Sequence, residues 1–208
     1  MRFLRIGPLA GLGMLLCLAA CGSSPPNQYY RLMPHADPTT ARQQPSLGVG
    51  PIKIPDYLRR SGIVYSGGGN QLIITELQRW AEPLDEGIKR VLAINLARLL
   101  QTDNLRLFPW QLDDMPDYTV EVVVLELDTR ADQAVLVADW VVKHAATGRS
   151  VTRDITRLQH PLPPGPIQPA ELAPAYSALF YQLSEQIAAV IGAADAADTA
   201  SAAALPGG

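Results

Sequence analysis

The first twenty residues constrain this chain more than any other feature. Arg2 and Arg5 precede residues 6–18, a stretch of 13 residues without a charged side chain. A short basic segment followed by an apolar stretch of this length is typical of an export signal, and the stretch is too short to cross a bilayer comfortably. We therefore predict that residues 1–20 are a signal peptide.

A cysteine follows the apolar stretch, in the sequence Leu18-Ala19-Ala20-Cys21. A small residue before the cleavage point admits a peptidase, and the thiol after it accepts a diacylglycerol. The segment resembles the lipobox of lipoprotein precursors, which implies cleavage between Ala20 and Cys21 and lipidation of Cys21. The alternatives are an ordinary signal peptide that contains a cysteine, or a buried apolar helix.

Lipidation at Cys21 has consequences for location and folding. Bacterial lipoproteins typically carry three acyl chains, and each buried methylene contributes about 0.8 kcal/mol, so the anchor is expected to be permanent. Residues 22–24 lack the aspartate that commonly retains lipoproteins at the inner membrane, which favours the outer membrane, facing the periplasm. Cys17 is removed with the signal peptide, so the mature domain must fold without a disulfide.

Composition and charge exclude several classes. Hydrophobic residues make up 48% of the 208 residues and charged residues 18%, which is typical of a globular domain. Removing Arg2 and Arg5 takes the formal net charge from −3 to −5. No Lys/Arg-rich run occurs, so neither a nucleic-acid partner nor a polybasic membrane patch is expected. We predict a lipidated tether over residues 21–27, one domain over residues 28–191 and a disordered Ala-rich tail over residues 192–208.

Hydrophobic periodicity places two helices in the domain. Apolar residues spaced for one helical face run from Leu84 to Leu99, after Pro83 at a helix start, and a second stripe runs from Leu172 to Ile191. Strands are predicted at residues 28–33, 46–54, 63–66, 71–76, 105–108, 118–128, 134–144 and 150–159. Pro51 favours an edge or bulged strand, and Gly67–Asn70 a hairpin turn. The order predicts an α+β fold, a two-layer sandwich of a mainly antiparallel mixed sheet with both helices on one face.

The sequence contains no recognisable catalytic or metal-binding pattern. His35, His144 and His160 are not paired at metal-ligand spacing, and the Asp113-Asp114 pair lies in a polar loop where solvated carboxylates are common. No nucleophile elbow or phosphate-binding loop occurs. We therefore expect no enzyme activity, no cofactor and no metal.

Four segments resemble the PqiC/YmbA family of auxiliary lipoproteins from intermembrane ABC-type transport systems. They are Arg-Trp-Ala-Glu-Pro-Leu-Asp-Glu-Gly-Ile at 79–88, Tyr-Tyr-Arg-Leu at 29–32, residues 49–58 and Phe-Pro-Trp at 108–110. The resemblance implies a non-enzymatic outer-membrane lipoprotein that docks a PqiB-like MCE protein, together with a PqiA-like inner-membrane protein. It also implies transport of lipid or other hydrophobic molecules and a ring of identical subunits.

The resemblance and the residue chemistry give candidate site residues. The family string carries the structural or partner-contact candidates Arg79, Trp80, Glu82, Pro83 and Leu84. Trp80 is expected to anchor the core, with a partner contact as the alternative. Tyr57 and Leu58 are candidates for an exposed partner surface, or an ordinary loop cover. A second functional class stays open, an outer-membrane assembly factor or pilotin, with an envelope enzyme as a third.

Overall fold

The computed structural model describes residues 25–35, 45–145 and 147–203. The predicted signal peptide, the cleavage site at Ala20 and Cys21, and residues 22–24 lie outside this part of the chain. Its helices and strands, in chain order, are β1 (Gln28–Tyr30), β2 (Leu47–Lys53), β3 (Gly62–Gly68), β4 (Gln71–Trp80), α1 (Leu84–Leu99), β5 (Leu105–Leu107), β6 (Tyr118–Arg130), β7 (Gln133–His144), β8 (Arg149–Pro161) and α2 (Pro169–Ala203).

The strands form two sheets. The larger has the order β5-β2-β6-β7-β8, and the smaller has the order β1-β4-β3. The long pairs β6–β7, β7–β8 and β3–β4 are antiparallel, whereas β2 runs parallel to both β5 and β6, and β1 runs parallel to β4. The predicted α+β sandwich is confirmed, but the single sheet is wrong. Strand patterns give the face that each strand buries, and not which strand lies beside which.

Both helices cover the large sheet and pack against each other, α1 over β2 and α2 over β7 and β8. The stripes predicted for the helices are buried, apart from the partly exposed Leu99 and Val190. Alternate residues of β6 and β7 meet them, and Val120, Val122 and Leu136 have no exposed surface. Burial of these side chains supplies the main stabilising free energy, since each contributes roughly 1.5–3 kcal/mol.

Pro51 does interrupt β2, where the register against β6 shifts between Val49 and Ile52. The bulge is therefore as predicted, but the edge position is not, because β2 lies between β5 and β6. Pro51 is accommodated because the bulge leaves it outside the hydrogen-bonded register. β8 is the edge strand that its polar alternation predicted.

The disordered tail predicted from residue 192 is wrong over residues 192–203. α2 continues to Ala203, and residues 204–208 lie outside the described residues. Alanine has the highest helix propensity, so a helix already held by its packed first half extends at little cost in free energy. Asp198 also fixes this extension to the sheet, because its carboxylate accepts a hydrogen bond from the buried Tyr118 hydroxyl.

Candidate partner-binding cleft

An open cleft lies where the end of β4 turns into α1. Its volume is about 440 Å³. Two segments line it, the turn before β3 and the corner between β4 and α1: Arg59, Arg60, Ser61, Trp80, Ala81, Glu82, Pro83, Leu84 and Asp85. The corner is the string that carries the family resemblance. Four of the five candidate residues of that string therefore lie around one concave site.

Trp80 forms the floor of the cleft and also belongs to the core. Its side chain is 8% exposed, and its ring centroid lies 6.4 Å from that of Tyr176 on α2. Its backbone N–H donates to the carbonyl of Ser61 at 2.7 Å, which ties the two lining segments together. Trp80 is thus largely removed from solvent, the position expected of a core anchor.

Glu82 pairs with Arg90, two turns further along the chain on α1. The Arg90 guanidinium contacts both carboxylate oxygens of Glu82 and donates to the carbonyl of Leu32 at 2.9 Å. Gly87 leaves room for this arrangement, since a Cβ there would lie 3.2 Å from Glu82 Oε1. One charged pair therefore joins the corner, the helix and the segment after β1, and Glu82 holds the cleft wall in place.

The first turn of α1 forms the other wall. Pro83 precedes the helix and accepts a hydrogen bond from the Gly87 N–H at 3.0 Å, while Leu84 is buried. Asp85 lies in the first turn, where the helix dipole favours a negative charge, and Arg59 reaches it at 3.2 Å. The rim of the cleft therefore carries an ion pair, and its walls are partly apolar.

Arg79 does not line the cleft, unlike the rest of the family string. Its side chain is half-buried, and its Nε donates to the carbonyl of Glu76 at 2.8 Å. Arg59, Arg60 and Arg90 were missed by sequence reasoning. For Arg90, no local spacing was a usable signal, because Glu82 lies before the start of α1 and the pair forms only through the tertiary corner.

Leu58 is corrected as a surface candidate. It is 2% exposed and packs in the core, because the short 3-10 turn Asp56–Leu58 folds its side chain inward. Tyr57 is half-buried, and burial together with the charge of Asp128 raises the pKa of its phenol. The two neighbouring residues therefore do not form one exposed surface.

Two other family-like segments meet beside α1. Phe108 and Trp110 make an edge-to-face ring contact at 5.3 Å, and this pair packs against the glycines of β2. A Cβ at Gly48 would lie 2.6 Å from Pro116 Cγ and 3.0 Å from Trp110, and one at Gly50 would lie 2.8 Å from Phe108 Cβ. Phe108 also borders a small hollow with Asp85 of α1. The tertiary fold thus brings these segments close to the cleft.

No group of three or more metal-ligating side chains occurs among residues 25–35, 45–145 and 147–203. His144 makes an edge contact with Tyr118, and its Nε2 lies 3.7 Å from Asp198. In the Asp113-Asp114 pair, Asp114 forms an ion pair with Arg106, and this ion pair lowers the pKa of the Asp114 carboxyl. None of the helices in the described part of the chain is long and apolar enough to cross a membrane.

The sequence as a whole matches a known family over most of the domain. The model of the ABC-type transport auxiliary lipoprotein component matches residues 30–188. The matched residues include all of the cleft, the buried face of α1 and the buried face of α2 as far as residue 188. The chain belongs to this family of transport auxiliary lipoproteins.

Individual relatives agree with this assignment. The chain is 29% identical over 138 residues to the intermembrane transport lipoprotein PqiC of Escherichia coli (strain K12), covering 62% of this chain and 70% of that protein. The fold is similar to the crystal structure of protein XCC0632 from Xanthomonas campestris, with a TM-score of 0.64 and 15% identity over 82% of this chain and 99% of the other. A crystal structure of an uncharacterized protein gives a TM-score of 0.63 at 24% identity, over 80% and 99%.

Proposed function

We propose that this chain is a docking subunit of an intermembrane transport complex, held at the outer membrane by acylation of Cys21. Its partners are a PqiB-like MCE protein that spans the periplasm and a PqiA-like inner-membrane protein, and its cargo is lipid or another hydrophobic molecule. The β4–α1 cleft is the contact site for the MCE protein. The single observation that carries this assignment is that the family string builds the cleft.

The chemistry of the cleft suits a protein segment. Trp80 and Leu84 give it an apolar floor, while Pro83 and Ala81 are more exposed at its edge. Protein interfaces commonly combine an apolar centre with a polar rim. Arg60 is an exposed cation on this rim, and no ion pair to it is found within the described ranges. The partner segment that complements this cleft carries an acidic or polar group beside an apolar side chain.

The proposal also includes a ring of identical subunits around the end of the MCE tunnel. Light scattering or native mass spectrometry of the acylated protein in detergent tests the ring. Fractionation of the two membranes on a density gradient tests the location. A monomer in every detergent contradicts the ring. Recovery of the protein with the inner membrane contradicts the outer-membrane location.

Affinity purification of the acylated protein from membranes tests the docking role. We expect Arg60→Glu to reduce recovery of the MCE protein at least about tenfold, because a reversed charge at a rim opposes a complementary partner. Arg149→Glu is the matched control, since Arg149 is also exposed but lies at the start of β8. Equal recovery with both variants contradicts the assignment of the cleft.

The anchor is tested separately by Cys21→Ser. We expect the exported variant to fold normally and to lose its stable attachment to the membrane, and with it complementation of a deletion strain. Full activity of the unacylated protein in the periplasm would show that the anchor is not needed. Loss of one β-barrel protein from the outer membrane, with lipid transport intact, would instead support the pilotin class.

A further inference from the structure

The hairpin β3–β4 carries an uncharged, apolar end. Residues 61–75 form a run of 15 residues without a charged side chain, in a chain with 18% charged residues. The run covers β3, the turn and the first half of β4. Leu72, Ile73 and Ile74 are 41%, 39% and 52% exposed, and they occupy consecutive positions on β4. Because neighbouring strand residues point to opposite faces, both faces of the hairpin end present apolar surface.

Burial falls steadily along the hairpin toward its turn. Ile63 and Val64 at the base of β3 are buried, Tyr65 and Ser66 are half-buried, and Gly67 and Gly68 are exposed. On β4, all of the residues 71–74 are exposed, whereas Trp80 at the other end is buried. The apolar end of the hairpin is therefore outside the core, beside the turn between β6 and β7, where the Ser66 N–H donates to Asp128 Oδ1 at 2.6 Å.

The chain enters β1 from the side of the hairpin turn. β1 runs parallel to β4, with Gln28 beside Gln78 and Tyr30 beside Trp80. Gln28 is therefore the end of β1 that lies toward Gln71 and the turn. An anchor attached ahead of Gln28 joins the domain at that end of β1.

The lengths of the two segments match. Seven residues lead from Cys21 to Gln28, which span at most about 25 Å when fully extended. Seven residues of β4 lead from Gln71 to Gln78, or about 23 Å of strand. At full extension the tether is thus only about 2 Å longer than this stretch of β4. A small bend in the tether brings the bilayer that holds Cys21 level with the hairpin end.

We propose that the end of the β3–β4 hairpin is a second membrane contact, inserted into the phospholipid surface that holds the acylated N-terminus. This contact rests on the proposed acylation of Cys21. Leu72, Ile73 and Ile74 supply the apolar surface, and Tyr65 is suited to the interface between headgroups and acyl chains. The contact fixes how the domain is oriented on the membrane, which a flexible tether cannot do.

The depth of insertion is limited by backbone hydrogen bonding. β1 pairs with β4 only at residues 78–80, so no strand of the described part of the chain lies beside that edge of β4 before residue 78. Unpaired backbone groups are costly in hydrocarbon, and the hairpin therefore lies among headgroups and the uppermost methylenes.

A single-cysteine label tests the contact in the acylated full mature chain. Cys17 leaves with the signal peptide and Cys21 is blocked by its thioether, so Leu72→Cys carries the one free thiol. The probe is a polarity-sensitive fluorophore, in vesicles of phosphatidylethanolamine and phosphatidylglycerol with spin-labelled lipid. We expect at least threefold stronger quenching than with Asp113→Cys, an exposed control in the loop after β5. Equal quenching overturns the proposal.

A second arm does not depend on acylation. The mature chain with Cys21→Ser is mixed with the same vesicles, and its partition coefficient is measured by sedimentation. We expect Leu72→Ser with Ile74→Ser to lower it at least fivefold, since two exposed apolar side chains lose their contact with lipid. The matched control is Val151→Ser with Ile155→Ser, exposed apolar residues of β8 at 37% and 62%. No difference between the pairs overturns the proposal.

The two arms separate this inference from the proposed function. If the intact mass shows acylation but the label at residue 72 is not quenched, the anchor is supported and the hairpin contact is overturned. If the intact mass shows no acylation but the partition coefficients still differ between the two variant pairs, the assignment of Cys21 is overturned and the hairpin contact is supported. Shielding of the label that requires a second copy or an MCE protein, and not lipid, assigns the hairpin to a protein interface and overturns the membrane contact.

Discussion

The hydroxyl oxygen of Tyr118 lies 2.6 Å from Oδ2 of Asp198, joining the first residue of β6 to the final turns of α2. Eighty residues separate the two along the chain. Tyr118 is buried, whereas Asp198 lies in the alanine-rich end of the helix. This bond gives the end of α2 a specific attachment to the sheet.

Asp198→Ala is expected to loosen the end of α2 without unfolding the domain. Loss of one hydrogen bond to a charged acceptor costs about 1.5–3 kcal/mol, mostly as local opening of residues 192–203. Amide hydrogen exchange checks this, with faster exchange confined to that segment. Thr199→Ala is the control, because Thr199 is exposed on the same turn. Equal protection in both variants would contradict the attachment.

The protein is expected to lose stability in alkali. Burial raises the pKa of Tyr118 and Tyr176 well above the ordinary value of 10.0. The folded state therefore holds these protons more tightly than the unfolded state does. The stability they contribute is complete below pH 10 and is lost as the pH rises above it.

Urea denaturation between pH 8 and pH 11 measures this alkaline loss. Tyr118→Phe and Tyr176→Phe are each expected to make the fall in unfolding free energy less steep, because one raised pKa is removed. Tyr29→Phe serves as the control, since Tyr29 is 62% exposed. An unchanged slope in the two buried-site variants argues against the linkage.

Asp128→Asn is expected to stabilise the fold at neutral pH, because the asparagine side chain carries no charge to bury. Burial is the main cause that raises the pKa of Asp128 above 3.8, so the ionised carboxylate costs stability at pH 7. An asparagine oxygen retains the acceptor for the N–H groups of Ser66 and Thr129, which lie 2.6 and 2.7 Å from Oδ1.

The pH dependence identifies the cause of that stabilisation. A raised folded-state pKa means that protonation favours folding, so the gain from the asparagine is largest above the folded-state pKa and fades below pH 4. Asp128→Ala, which removes both hydrogen bonds, is expected to destabilise the fold instead. Thermal unfolding at pH 3.5 and pH 7 tests both variants, and a gain that persists at pH 3.5 contradicts the burial argument.

Gly48→Ala is expected to destabilise the fold by about 1–3 kcal/mol, the usual cost of overpacking a tight site. Its Cβ would lie 2.6 Å from Pro116 Cγ and would press on Trp110. Gly192→Ala is the matched control within α2, because no atom lies within 4 Å of its Cβ position. There we expect a gain of about 0.5–1 kcal/mol from helix propensity. Denaturation midpoints that change equally would contradict the close packing at Gly48.

The sequence predicted features that depend on local pattern. The buried stripe of α1, the alternation in β6 and the exposed edge position of β8 follow from the periods of 3.6 and 2, which the backbone imposes on any chain. The buried Trp80 was also expected, because a large aromatic side chain at a corner has most to gain from burial.

Other features depended on residues that are distant in sequence. Leu58 was a candidate for an exposed surface, or for an ordinary loop cover, because it lies in a loop beside Pro55, but its side chain packs in the core. The order of β5, β2 and β6 required a parallel pairing that hydrophobic alternation does not encode. The attachment of the end of α2 to the sheet requires the hydrogen bond from Tyr118, and an alanine-rich pattern contains no sign of that partner.

The sequence by itself predicted an export signal and the lipidation candidate Cys21 and gave the resemblance to transport lipoproteins, since a peptidase or an acyltransferase recognises a linear segment. The tertiary structure decided the rest of the site. It brought Arg59, Arg60 and Trp80 around one cleft, and it set β1 parallel to β4, so that the chain enters β1 from the side of the hairpin turn. These relationships depend on strand pairing and packing between distant segments, and no local pattern of residues specifies them.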